Sequence, residues 1–209
     1  MVQQMRMSPV MTRTAADKRA HVMREIVEIV LFVGLVFVIA HFVVASYGMN
    51  GNESMKPQLR DDDEIIVNRA AYVLAGPSHG DVVLFASPAN TKKLLLGRVI
   101  AVPGDTITIT PTQVRVNGVA LQETYVQAAV GGTANPIIIP QEKLASGQYF
   151  ILDDNRAAVD QDTHQFGDSR TLGPIPRADI QGKAALVFWP LKSVRGVSNF
   201  ADVFSHVGK

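Results

Sequence analysis

The chain has 209 residues, a formal net charge of +1 and no cysteine. Its near-neutral charge gives no broad basic field for nucleic-acid phosphates, and the absence of thiols excludes disulfides, cysteine nucleophiles and cysteine-ligated metal. The five histidines have no close metal-binding spacing. The sequence therefore predicts no metal, no other cofactor and no nucleic-acid partner.

An apolar run over residues 26–47 is the first predicted element. It reads IVEIVLFVGLVFVIAHFVVASY and would extend about 33 Å as a helix at about 1.5 Å per residue. Because the run is apolar on every side, it is typical of a transmembrane helix rather than of a helix in a soluble core. Residues 47–50 offer a poor signal-peptide cleavage site, so we expect the helix to be retained.

The charges before this helix predict its direction in the membrane. Only Asp17 and Glu25 oppose a set of basic side chains in residues 1–25, namely Arg6, Arg13, Lys18, Arg19 and Arg24. Positively charged flanks stay on the cytoplasmic side. The sequence thus predicts a cytoplasmic N-terminus (1–25), a single crossing of the cell membrane (26–47) and an extracytoplasmic domain (48–209).

The extracytoplasmic domain is predicted to be mainly β. Short apolar or β-branched runs bounded by Gly, Pro and Asp are typical of strands, and they occupy residues 64–67, 81–85, 94–102, 147–152 and 181–190. Thr106–Thr110 alternates strictly, and the pair Asn117-Gly118 favours a tight hairpin turn. We therefore expect an inserted subdomain of hairpin and loop over about residues 106–146.

Five short motifs follow the apolar run in a fixed order. They are Ser54-Met55-Lys56-Pro57, Gly80-Asp81-Val82-Val83, the segment from Arg98 to Asp105, Asp154-Asn155-Arg156 and Asp168-Ser169-Arg170. In this order they resemble the conserved boxes of type I signal peptidases, peptidase family S26. The resemblance implies a signal-peptidase-like β-sheet catalytic domain behind one membrane helix, with the signal peptides of exported preproteins as substrates and the lipid bilayer as a partner.

The resemblance also implies roles for residues around the first motif. Ser54 would be the nucleophile, with its hydroxyl facing a groove beside the bilayer, and Met55 would line the substrate pocket. Asn52 would donate to the developing oxyanion together with the Ser54 N–H. A simple turn asparagine is the alternative for Asn52.

Five charged residues in the later motifs match positions that brace the site of these enzymes, through charge-assisted hydrogen bonds rather than chemistry. They are Arg98, Asp154, Arg156, Asp168 and Arg170. A solvated surface network is the alternative.

The sequence departs from the family at the general base. The family's lysine base precedes the Arg-Val-Ile segment, and Gly97 stands there; the serine that orients this lysine is replaced by Phe166. His164, oriented by Asp160 or Asp162, is one substitute base, because histidine titrates near neutral pH. Lys93 is another, although a regular strand would place it about 13 Å from position 97.

Two functions remain open from the sequence. One is an active serine endopeptidase that removes signal peptides through a Ser54 acyl-enzyme. The other is a catalytically silent relative that binds signal-peptide-like segments, for which the changes at Gly97 and Phe166 are the evidence. A further membrane protein that completes the site is compatible with both.

Overall fold

The computed structural model describes residues 15–49, 51–126, 137–158 and 165–208. The chain divides into two compact units, residues 1–42 and 43–209. The first contains most of a single helix. The second is built from antiparallel β-strands, so the expectation of a mainly β domain is confirmed.

The helix, α1, runs from Ala15 to Val43. Its apolar side chains between residues 22 and 38 are exposed, with Phe37 reaching 70%. Within the described ranges, no helix meets the combined length and hydropathy needed to cross a membrane. The predicted helix over residues 26–47 ends too late, because Val44–Gly48 forms a strand that pairs with residues 64–68.

The described part of the second unit contains twelve strands, one short α-helix, α2 (Ser169–Leu172), and three 3-10 helices (Arg69–Tyr72, Arg177–Asp179 and Leu191–Ser193). In chain order the strands are β1 (Val44–Gly48), β2 (Glu64–Asn68), β3 (Val82–Ser87), β4 (Asn90–Ala101), β5 (Thr106–Thr110), β6 (Gln113–Val116), β7 (Val119–Ala120), β8 (Ile139–Lys143), β9 (Gln148–Leu152), β10 (Ile175–Pro176), β11 (Ile180–Trp189) and β12 (Arg195–Gly196). All five runs predicted as strands lie largely within these elements.

The larger sheet has the order β1-β2-β11-β3-β4-β9-β10, and β12 pairs with β11. Its central strand β3 is buried on both faces. Because side chains alternate along a strand, Leu84 faces one core with Leu96, while Val83 and Phe85 face another with Ile151. The sheet therefore separates two apolar layers.

The smaller sheet has the order β7-β6-β5-β8 and occupies most of the predicted inserted subdomain. Asn117 and Gly118 join β6 to β7 with φ values of 52° and 79°, which is the geometry that a tight primed turn requires. Ile107 and Ile109 of β5 share a core with Phe150 of the larger sheet. The two sheets are thus packed together. The predicted loop over residues 130–136 lies outside the described residues.

We predict that Ile109→Ala lowers the free energy of unfolding by about 2–5 kcal/mol, because it leaves a cavity in the core shared by the two sheets. Ile109 is fully buried. Thr108→Ala, at the half-buried neighbouring position on the same strand, is the control and should cost less than about 1 kcal/mol. Denaturant unfolding of residues 43–209 within the full chain measures both. Equal effects would show that β5 does not build this core.

Candidate active site

Ser54 lies in the loop between β1 and β2, and the segment after β9 holds this loop in place. The Asn155 backbone N–H donates to the Ser54 carbonyl oxygen at 2.8 Å, and the Asn155 side chain donates to the Glu53 carbonyl at 3.2 Å. Two motifs that are distant in the sequence are therefore joined by direct hydrogen bonds. This juxtaposition brings the expected nucleophile next to the Asp-Asn-Arg motif.

The Ser54 hydroxyl is buried, and among the described residues it is the buried side-chain oxygen that has no hydrogen-bond partner. An unsatisfied buried hydroxyl costs about 1–3 kcal/mol, and such groups are rare outside functional sites. The expectation of a hydroxyl that faces an open groove is not met in this conformation. A substrate reaches the oxygen only after its covering atoms move.

Asn52 occupies one of the two expected oxyanion donors, the Ser54 N–H, in this conformation. Its Oδ1 accepts the Ser54 N–H at 2.9 Å, and its side chain lies close to the Tyr47 phenol. Tyr47 in turn donates to the Leu94 carbonyl at 3.1 Å. The Asn52 amide must rotate before it and the Ser54 N–H can point at a substrate oxygen.

Tyr47 is a residue that the sequence reasoning missed. Burial raises the pKa of its phenol, while the neighbouring Asn52 side chain and the charge of Lys93 oppose that rise. The phenol therefore stays protonated at neutral pH and acts as a hydrogen-bonding group rather than as a base. Lys93, which is half-buried on β4, lies close enough to influence it.

Met55 does not line an accessible pocket. Its side chain is fully buried and packs in the same core cluster as Leu59, Leu84 and Leu96. The expected substrate-binding role is therefore corrected for this conformation: Met55 anchors the nucleophile loop to the sheet through apolar burial.

Arg98 and Asp154 form a buried ion pair under the nucleophile loop. Arg98 donates to both Asp154 oxygens at 2.8 and 2.6 Å, and both side chains are 0% exposed. Its remaining N–H groups bind the carbonyls of Gly80 and Ser198 and the side chain of Gln58. All five donors of the guanidinium are thus used.

Asp168 and Arg170 form a second buried pair at the start of α2. Asp168 caps the helix by accepting the Arg170 N–H at 2.9 Å and also binds the Arg170 guanidinium. Arg170 donates to the Arg156 carbonyl at 2.7 Å, and the Arg156 guanidinium binds Glu123. All five bracing residues named from the sequence are buried, so the alternative of a solvated surface network does not describe them.

Position 97 has no room for a side chain in this packing. A Cβ there would lie 2.5 Å from Ile151 Cγ2 and 3.5 Å from Phe85 Cε1. A lysine at this position would therefore have to displace the core. Phe166, the other departure from the family, lies with its ring 4.0 Å from the Arg170 guanidinium carbon and covers that ion pair.

The histidine alternative for the base falls on residues that the structure does not describe. His164, Asp160 and Asp162 lie in the undescribed segment 159–164. Over the described ranges, no group of three or more His, Asp or Glu side chains is arranged to hold a metal ion.

Asp153 is a second residue that the sequence reasoning missed. It is 2% exposed, and burial, followed by the neighbouring Asp168 charge, raises the pKa of its carboxyl well above the usual range, against the effect of Arg170. The signal in the sequence was a second aspartate directly before the Asp-Asn-Arg motif. A sequence does not show which of two adjacent carboxyls is paired, so this signal was not decisive.

Comparison with known proteins supplies the family. The family described as "Signal peptidase, peptidase S26" matches residues 22–189. A protein named "Probable signal peptidase I-2" from Synechocystis sp. is 30% identical over 157 residues, which are 72% of this chain and 66% of that protein. "Signal peptidase IB" from Staphylococcus aureus (strain COL) is 29% identical over 190 residues, 85% of this chain and 94% of that protein.

A solved signal peptidase I from Enterococcus faecalis is 26% identical, with a TM-score of 0.43, over 51% of this chain and 95% of that chain. Because the family match extends over most of the sequence, the chain belongs to the signal peptidase family, peptidase S26. The matched part is just under two thirds of the length of the Synechocystis relative.

We predict that Arg98→Met lowers the free energy of unfolding by about 3–5 kcal/mol, because it leaves the Asp154 carboxylate buried without its cation. Arg115→Met, an exposed arginine on β6, is the matched control and should change stability by no more than about 0.5 kcal/mol. Thermal unfolding followed by circular dichroism measures both. Comparable effects of the two variants would contradict a bracing role for the buried pair.

We predict that Gly97→Ala destabilises the domain by about 1–3 kcal/mol, because the new Cβ overlaps Ile151 Cγ2. Gly167→Ala is the control, since a Cβ there would meet Leu95 at 3.6 Å, an ordinary contact. Melting temperatures of the purified variants provide the measurement. A Gly97→Ala protein as stable as the wild type would show that the space for a side chain exists.

Proposed function

We propose that the chain is a membrane-anchored serine endopeptidase that removes N-terminal signal peptides from exported preproteins. Family membership supports the substrate class. The observation that carries the proposal is the buried Ser54 hydroxyl without a hydrogen-bond partner among the described residues. A hydroxyl kept unsatisfied in this way is ready to form its bonds when the substrate arrives.

In the proposed reaction the Ser54 oxygen attacks the carbonyl carbon of the scissile amide and passes its proton to a base. The tetrahedral intermediate collapses, the amide C–N bond breaks and the proton goes to the leaving nitrogen. Water then cleaves the Ser54 ester and regenerates the hydroxyl. The Ser54 N–H and the Asn52 amide stabilise the oxyanion once Asn52 has released that N–H.

We further propose that α1 anchors the enzyme in the cell membrane, with the domain from residue 48 onward outside the cytoplasm. Its exposed apolar side chains from residue 22 to residue 38 and the basic residues before them support this orientation. An anchored enzyme meets an anchored substrate in two dimensions, which raises the effective concentration without new contacts.

A silent signal-peptide-binding relative is the second candidate. Three observations favour it: Gly97 supplies no base, the space for a side chain there is filled, and the Ser54 N–H is already bonded to Asn52. Retention of the Ser54 hydroxyl favours the enzyme, because a binding module does not need a nucleophile. One experiment separates the two.

Purified full-length protein in liposomes should convert a preprotein to a product shortened by its signal peptide. Ser54→Ala should reduce this rate at least about 1000-fold, because removing a nucleophile removes the covalent step. Ser205→Ala, an exposed serine near the end of the described chain, is the control and should retain the wild-type rate. Intact mass of the product identifies the cleaved bond.

Co-sedimentation of the preprotein with the same liposomes tests binding alone. Binding by wild type and Ser54→Ala without any cleavage would identify the silent relative. Cleavage that continues in Ser54→Ala would exclude the proposed acyl-enzyme.

A further inference from the structure

Asp153 lies beside the position where the base is missing. In the pairing of β4 with β9, Arg98 is opposite Leu152 and Val99 is opposite Ile151. Continued by one pair, this register sets Gly97 opposite Asp153, although β9 itself ends at Leu152. Directly opposite residues of an antiparallel pair have their side chains on the same side of the sheet.

Residue 153 is also tied to the nucleophile loop. Asn155, two residues later, makes the 2.8 Å backbone hydrogen bond to the Ser54 carbonyl. Both backbone groups of Asp153 are fixed, since its N–H donates to Asp168 Oδ2 at 3.0 Å and its carbonyl accepts from Arg156 Nε at 2.7 Å. The backbone of residue 153 is therefore held in place two residues from a direct contact with the nucleophile loop.

The surroundings of this carboxyl are those of a tuned acid–base group. It is buried, and the charged groups that act on it are Asp168, Arg170, Asp154 and Arg156. Of these, Arg98 neutralises Asp154, and Arg170 neutralises Asp168. Within the part of the chain that the structure describes, Asp153 has no such ion pair, and burial together with the neighbouring Asp168 charge raises the pKa of its carboxyl, which is the direction that makes a carboxylate a stronger base.

We propose that Asp153 is the general base of this enzyme, in place of the side chain absent at Gly97. This inference rests on the proposed function. The Asp153 carboxylate accepts the Ser54 proton as the oxygen bonds to the substrate carbonyl carbon, and the carboxylic acid returns that proton to the leaving nitrogen as the C–N bond breaks. In the second half of the reaction the carboxylate accepts a proton from water as that water attacks the ester, and the acid returns it to Ser54.

The contact between Asp153 and the Ser54 hydroxyl forms when the substrate displaces the atoms that cover this oxygen. Catalytic hydrogen bonds are often long before substrate binds and tighten in the complex. The same movement releases the Ser54 N–H from Asn52, so that base and oxyanion donors become available together.

Asp153→Asn keeps the shape of the side chain and removes the proton acceptor. In the liposome assay it should lower kcat/KM about 100-fold to 10,000-fold. The wild-type kcat/KM should rise with pH along one ionisation above the ordinary carboxyl value of about 3.9, and this limb should vanish in Asp153→Asn. Retention of the wild-type rate and pH profile by Asp153→Asn would overturn the assignment.

Stability separates catalysis from structural support. The pKa of Asp153 is higher in the folded state than in the unfolded state, so folding disfavours the ionised carboxylate. The contribution of Asp153 to stability therefore falls as the pH rises from the unfolded pKa to the folded pKa. Asp153→Asn should therefore melt at the same temperature as the wild type or higher at neutral pH. A lower melting temperature with the activity loss would identify a structural role instead.

A serine-directed phosphonate makes the test independent of the natural substrate. The phosphonate should modify Ser54 of the wild type and react much more slowly with Asp153→Asn, as read by intact mass. If labelling depends on Asp153 but no preprotein is cleaved, Asp153 is still the base and the proposed substrate is wrong. If His164→Ala or Lys93→Met abolished labelling and Asp153→Asn did not, Asp153 would not be the base. If the wild type itself did not react, Ser54 would have no activating base at all.

Discussion

Burial of the Arg98–Asp154 ion pair is the constraint on which the arrangement of the site depends. A charge pair removed from water is stable only when its remaining donors are also satisfied, and Arg98 meets that requirement with the Gly80 and Ser198 carbonyls and Gln58. Each partner comes from a different segment. Satisfying one cation therefore fixes the nucleophile loop, the turn before β3, the end of β9 and the C-terminal segment in one arrangement.

The same arrangement explains how this chain can differ from the family's usual lysine at position 97 without losing the fold. Ile151 fills the volume that a side chain on Gly97 would take, so the apolar layer beneath β4 stays closed. When the pairing of β4 with β9 is continued by one residue, the acidic residue opposite Gly97 is Asp153. If Asp153 is the base, the proton acceptor has moved from a residue of β4 to the residue that follows β9. The buried ion pairs Arg98–Asp154 and Arg170–Asp168 keep their places.

Local patterns predicted much of the fold, because alternation and turn chemistry act over a few residues. Asn117 and Gly118 form the expected hairpin turn, and the apolar runs became strands. The helix end was wrong because Val44–Gly48 is apolar in either structure, and only its pairing with β2 decides the outcome. The motifs around Ser54 and Asp154 were recognisable, whereas the closure of Asn52 onto the Ser54 N–H, the burial of Met55 and the position of Asp153 follow from tertiary contacts that a sequence does not display.

The hydrogen bond from Arg98 to the Ser198 carbonyl spans 100 residues of chain. A ribosome must therefore have translated beyond residue 198 before the guanidinium can acquire its full set of acceptors. Until then one N–H of the guanidinium lacks its protein acceptor, and the ion pair with Asp154 has an incomplete set of supporting hydrogen bonds. Completion of these hydrogen bonds thus waits for the segment that follows β12, and the loop that carries Ser54 stays unbraced on this side until that segment docks.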